Sequence, residues 1–105
     1  GGLPEVDWDY PTTDQLQPVS HLTDLEPERY PIAWGFLFDV EGRWDASDGW
    51  EITVDGRTFG VWSYVEAIRE RLQALESDDR VRFYGEFGEY QGQPQFVIHE
   101  ARWWR

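Results

Sequence analysis

Catalytic chemistry has little to work with in this sequence. His21 and His99 are the only histidines, and cysteine, methionine, lysine and asparagine are absent. No nucleophile, base and orienting group can be named as a set. His99 and Glu100 are adjacent, and neighbours on a strand point to opposite faces, so adjacency does not make them an acid–base pair. With 21 acidic residues in the chain, any two carboxylates can be paired on paper. Asp39, Glu41, Asp45 and Asp48 crowd one stretch with Gly42 and Gly49, and oxygen ligands suit Ca²⁺ or Mg²⁺. Their spacing matches no EF-hand loop, and a solvated acidic loop is the expectation. Neither an enzyme nor a cofactor nor a metal site is expected.

Aromatic chemistry is the richer vein. Of 105 residues, 18 are aromatic, seven of them Trp. All nine basic residues are arginine, and the net charge is −12. Such a charge repels phosphate backbones, whereas exposed rings can stack on bases or anchor a protein partner. The acids have two readings: a salt-loving composition that keeps the chain soluble, or a surface that docks a basic partner or mimics DNA. The first predicts stabilisation by molar salt, where the Debye length shrinks to about 3 Å.

The elements that must position these groups follow from proline and periodicity. Residues 1–31 hold five of the six prolines and seven acids against one arginine. Proline at that density forbids a long helix, so an extended arm is expected, pinned by Trp8, Tyr10 and Leu16, with a helical turn near Thr23–Glu26. Residues 32–105 form the domain. Ile32, Trp34, Phe36, Phe38 and Val40 alternate with residues that are themselves mostly apolar, which predicts a strand covered on both faces, bending at Gly35. A loop over Glu41–Gly49 should follow.

Trp50–Val54 and Arg57–Val61 flank Asp55-Gly56, the two-residue turn signal of a hairpin. That turn pairs Val54 with Arg57, Ile52 with Phe59 and Trp50 with Val61 on the core face. Glu51, Thr53, Thr58, Gly60 and Trp62 fall on the other. Ser63 and Glu66 have capping-box spacing, and Val65, Ile68, Leu72 and Leu75 form one helical stripe. The helix should end near Glu76–Asp79, frayed by acids at its negative pole. Val81–Phe87 and Gln95–Trp103 complete a second hairpin through a loop over residues 88–94, with Trp103 and Trp104 packing the end of a barrel.

Three stretches, DLEPERYPIAWGFLFDV, WEITVDGRTFGVW and DDRVRFYGEFGEYQGQPQFVI, occur in this order with a helix between the last two. Together the pattern resembles the OB-fold, over residues 22–104. The resemblance implies a five-stranded antiparallel Greek-key barrel, all-β with one helix between its third and fourth strands. It also implies, as in single-strand-binding modules, a non-enzymatic domain that stacks single-stranded DNA or RNA on the face of the second and third strands. The candidate residues are Trp62 on that face with Arg57 at its turn, Tyr64 at the helix start, and Trp34 and Tyr84 on neighbouring strands, with Arg57 and Arg82 at the nucleic-acid backbone and Tyr90 in the last loop. The alternative is an acidic protein-interaction subunit of a DNA-processing complex, or a DNA-mimic inhibitor.

A chain of this length suits one domain with its own core. No apolar run nears the roughly 20 residues that span a bilayer, so no membrane partner is expected. No basic segment precedes an apolar one at the start, which makes the cytoplasm the expected compartment. Gly1-Gly2 reads as a cleavage scar from a longer protein.

Overall fold

The computed structural model describes residues 37–47 and 49–105 in full, and the backbone of residues 16–18. The rest of the arm, the bend expected at Gly35 and the candidate Trp34 lie outside the described residues, as does Asp48. Among the described residues there are six strands: β1 (Leu16–Pro18), β2 (Leu37–Asp45), β3 (Glu51–Val54), β4 (Arg57–Ser63), β5 (Arg80–Tyr90) and β6 (Gln93–Ile98). Helix α1 (Glu66–Ala74) lies between β4 and β5, and a 3₁₀ turn spans Ala101–Trp103.

Five of these strands close on themselves in the order β2-β3-β4-β6-β5, because β2 pairs with both β3 and β5. The helix therefore falls between the third and fourth barrel strands, an arrangement compatible with an OB-like fold. The pairing is mixed rather than wholly antiparallel. β4 runs parallel to β6, with Gly60 opposite Gln95 and Trp62 opposite Val97. β1 adds a short parallel edge to β2, Leu16 against Leu37.

The first hairpin has the register that its turn demands. Ile52 faces Phe59 and Val54 faces Arg57, with φ of 50° at Asp55 and 78° at Gly56. Ile52, Val54, Phe59 and Val61 are all buried. Trp50 departs from the expected alternation. It lies just before β3, half-buried, and its ring stacks on Trp62 of the opposite face.

Several boundaries move. β2 is described from Leu37, with Leu37 and Phe38 both buried as the apolar run requires, and it continues through Asp45. The stretch expected as an acidic loop is thus mostly strand, because Val40 and Trp44 keep the inward alternation while the charged residues take the outward positions. Gly42 makes the close approach in this strand: a Cβ there would collide with the Thr53 carbonyl oxygen and lie 2.9 Å from Val54 Cγ2. In the second hairpin, β5 runs on to Tyr90, and the turn is only Gln91-Gly92, with φ of 52° and 82°. The loop expected over residues 88–94 shrinks to those two residues. β6 ends at Ile98 rather than Trp103, and Trp103 is fully buried at the barrel end while Trp104 stacks on Phe83.

The capping box does not form. Val65 holds the N-cap position, without a side-chain cap. Ser63 is instead the buried last residue of β4; its hydroxyl donates to the Ile98 carbonyl at 2.6 Å and accepts from Val65 N–H at 3.0 Å. The chain must leave a strand before it can enter the helix, and the serine serves that exit. Ile68 and Leu72 enter the core as the stripe predicts. Beyond Ala74 the acidic segment does not fray: Asp79 accepts from Glu76 N–H at 2.8 Å, and Asp78 N–H donates to the Trp44 carbonyl at 2.8 Å.

Candidate functional site

The outward residues of β3 and β4 are Glu51, Thr53, Thr58, Gly60 and Trp62, set by the same register that buries their neighbours. Gly60 carries no side chain at the centre of this face, and a groove of about 430 Å³ lies there. Its lining comes from residues 49–51 and 60–62 and from Tyr90, Gln93 and Gln95 of the second hairpin. Glu51 is the one charged residue among them.

A line of rings borders the groove. Trp50 and Trp62 are stacked at 5.3 Å and 25°. Tyr64 meets Trp62 edge-on at 6.2 Å, and His99 lies 6.3 Å beyond Tyr64. Arg69, from α1, sets its guanidinium 5.8 Å from the Trp62 ring and donates to the Ser63 carbonyl at 3.1 Å. The tryptophans are half-buried, whereas Tyr64 is 72% and Tyr90 61% exposed. Large flat apolar surface is normally withdrawn from water, so an open Tyr90 lining the groove and an open Tyr64 against Trp62 are the notable feature of this face.

The sequence-nominated residues divide between two places. Trp62 and Tyr64 stand together beside the groove. Arg57 sits at the far end of the first hairpin, its guanidinium 5.8 Å from the Phe59 ring. Arg82 and Tyr84 lie on β5, among different partners. Arg82 holds Asp39 through two hydrogen bonds of 3.0 and 2.7 Å, which raise the arginine's pKa above its ordinary value. Arg105 covers the Tyr84 ring at 4.5 Å.

Trp50, Arg69, Gln93 and Gln95 were not nominated from the sequence. Trp50 was legible as an aromatic beside Gly49, but alternation assigned it inward. His99 Nε2 lies 3.7 Å from Glu86 Oε2, a proximity across the β5–β6 pair rather than with adjacent Glu100. Of the four acids weighed as metal ligands, Asp39, Glu41 and Asp45 share the outward side of β2. Among the described residues no three acidic or histidine side chains gather in a metal-holding group, and Asp39 is engaged by Arg82. The Asp45 carboxylate accepts from the Ser47 hydroxyl and backbone N–H, which together lower its pKa.

No protein-family model matches this chain, and neither curated proteins nor solved structures give a significant match. What the described residues define is an architecture: a closed five-stranded barrel with one helix, compatible with an OB-like fold, carrying a ring-lined groove on its second and third barrel strands. Among the described residues, no helix is long and apolar enough to cross a membrane.

Proposed function

We propose that this chain is a non-enzymatic OB-like module that holds single-stranded DNA or RNA by stacking bases on the rings of the β3–β4 face. One observation carries the reading: exposed Tyr90 and the Trp50–Trp62 stack line a groove on the face, and between the loops, where OB-folds take oligonucleotides, and exposed Tyr64 extends the ring surface edge-on to Trp62. Each stacked base contributes about 1–3 kcal/mol, and stacking tolerates any base because every base has a π-face. In this reading the two tyrosines are the platforms, and Trp62, backed by Trp50 and Arg69, is the wall between them.

The test is a titration with a short oligothymidylate, followed by tryptophan fluorescence at low and at molar salt. Quenching should persist at molar salt, and Tyr64→Ala with Tyr90→Ala should weaken binding by at least about tenfold, equivalent to about 1.4 kcal/mol. No quenching at either salt removes the reading.

A second reading, a docking module for a basic protein in a DNA-processing complex, is favoured by the charge of the groove, where Glu51 stands without an arginine. Such a partner should be retained at low salt and released as salt rises.

A further inference from the structure

Arg43 and Arg80 stand directly opposite one another in the β2–β5 ladder. Both are exposed, and both lie on the barrel's outer face. Like charges at such positions destabilise a sheet. The placement is unexpected here, since the chain has 21 acids to choose from and only nine arginines to spend. The next outward position shows the satisfied alternative: Glu41 opposes Arg82, and Arg82 also grips Asp39. Arg43 donates one N–H to the Asp78 carbonyl at 3.2 Å. Among the described residues, neither Arg43 nor Arg80 forms an ion pair with a carboxylate.

The two arginines line a cleft of about 410 Å³ together with Thr53, Glu41 and Asp55. The cleft belongs to the same outer face as the ring-lined groove. Arg80, Arg43, Thr53 and Thr58 form one row across β5, β2, β3 and β4. Gly60 and then Trp62 follow Thr58 on the outward side of β4. Trp62 lies four strand rises from Thr58, about 13 Å at roughly 3.3 Å per residue, a reach of a few nucleotides.

We infer that Arg43 and Arg80 together form the phosphate-binding site of this face, seating one or two backbone phosphates of a single strand whose bases reach the rings. The inference deepens the proposed function and rests on it. A phosphate between the two guanidiniums turns their repulsion into paired attraction, and the planar guanidinium fork suits phosphate oxygens better than a point charge does. Glu41 and Asp55 line the same cleft, but among the described residues neither is ion-paired with Arg43 or Arg80, so both guanidiniums keep donors for an anion.

The experiment compares the full chain with its Arg43→Gln/Arg80→Gln variant, using two probes: a labelled oligothymidylate and the same bases on an uncharged peptide backbone. For the charged probe, the slope of log affinity against log salt should become shallower by roughly 0.7–1.4 in the variant, at about 0.7 per phosphate contact for one or two phosphates. The uncharged probe should bind both proteins alike, and Arg43→Lys/Arg80→Lys should restore most of the slope. Removing the repulsion should leave the melting temperature unchanged or raised. An unchanged slope with the oligonucleotide still bound overturns the phosphate site and leaves the stacking reading standing. Equal loss of both probes also overturns it, because the arginines then act on the rings or the fold. If the native chain binds neither probe, the site and the reading fall together.

Discussion

On the β2–β5 side of the barrel, Arg82 is gripped by Asp39 and Tyr84 is covered by Arg105. On the β3–β4 side, Tyr64 and Tyr90 stay open beside the Trp50–Trp62 stack. Both sides use arginine and aromatic rings, and residue type alone does not separate them. What separates them is whether a partner sits at the facing register. Asp39 is the cross-strand partner of Tyr84 and lies diagonal to Arg82, whereas Gly60 leaves an opening where a side chain would cover the rings. At Arg82 and Tyr84 the first side is satisfied within the fold, and the second leaves its ring surface available.

The strongest way to break this comparison is to disturb Gly42, next to Arg43, the residue of β2 that pairs with both β5 and β3. Gly42→Ala pushes a methyl into the Thr53 backbone, and overpacking of this kind costs about 1–3 kcal/mol or more. A large drop in the urea midpoint is expected, with both sides affected together. A midpoint equal to the native one would mean that the two sides do not meet there.

Ser63→Ala removes the hydroxyl that ties the end of β4 to Ile98 and to Val65. With buried partners left unsatisfied, about 1–3 kcal/mol should be lost, measured by denaturant unfolding. The cost arises from strand anchoring rather than from a helix cap, so Glu66→Ala should change stability little. Equal effects of the two substitutions would reinstate the capping box.

Gly56→Val tests the turn that positions the groove strands. Nothing lies within 4 Å of a Cβ at Gly56, so the penalty is that of φ +78° alone, about 1–3 kcal/mol for a β-branched residue. The sharper contrast is between Arg82→Ala and Tyr64→Ala. The first should cost no more than about 1 kcal/mol, as exposed ion pairs do, and leave oligonucleotide binding intact. The second should barely move stability and should weaken binding. Reversed results would reverse the assignment of the two sides.

The smallest effect is the pH response of Asp45. Its folded pKa is lowered, chiefly by the Ser47 hydroxyl and then by the Ser47 N–H. The linked stability is therefore present above the ordinary carboxylate pKa and is lost as pH falls through the lower, folded value. Asp45→Asn should flatten the stability profile below about pH 4. A profile with the native slope would place the acid response in other carboxylates.

The sequence by itself determined whatever depends on neighbours along the chain. Asp55-Gly56 dictates a two-residue turn, the turn dictates the register of β3 with β4, and the register decides which residues are buried. Ile68 and Leu72 were legible for the same reason, since helical spacing is local. Gln91-Gly92 makes a turn of the same size, yet its residues carry no such signal, because glutamine is not a usual partner of glycine there. Only barrel closure decided the rest. It set β4 parallel to β6, placed Glu86 near His99, opposed Arg43 to Arg80, and drew Arg82 into Asp39 from 43 residues away. It also turned Trp50 onto Trp62 at a point where the strand had not begun, so alternation had no hold. The physical reason is common to all of these: such contacts join residues distant in sequence, and their geometry exists only once the sheet has curved back to pair its first barrel strand with its fourth.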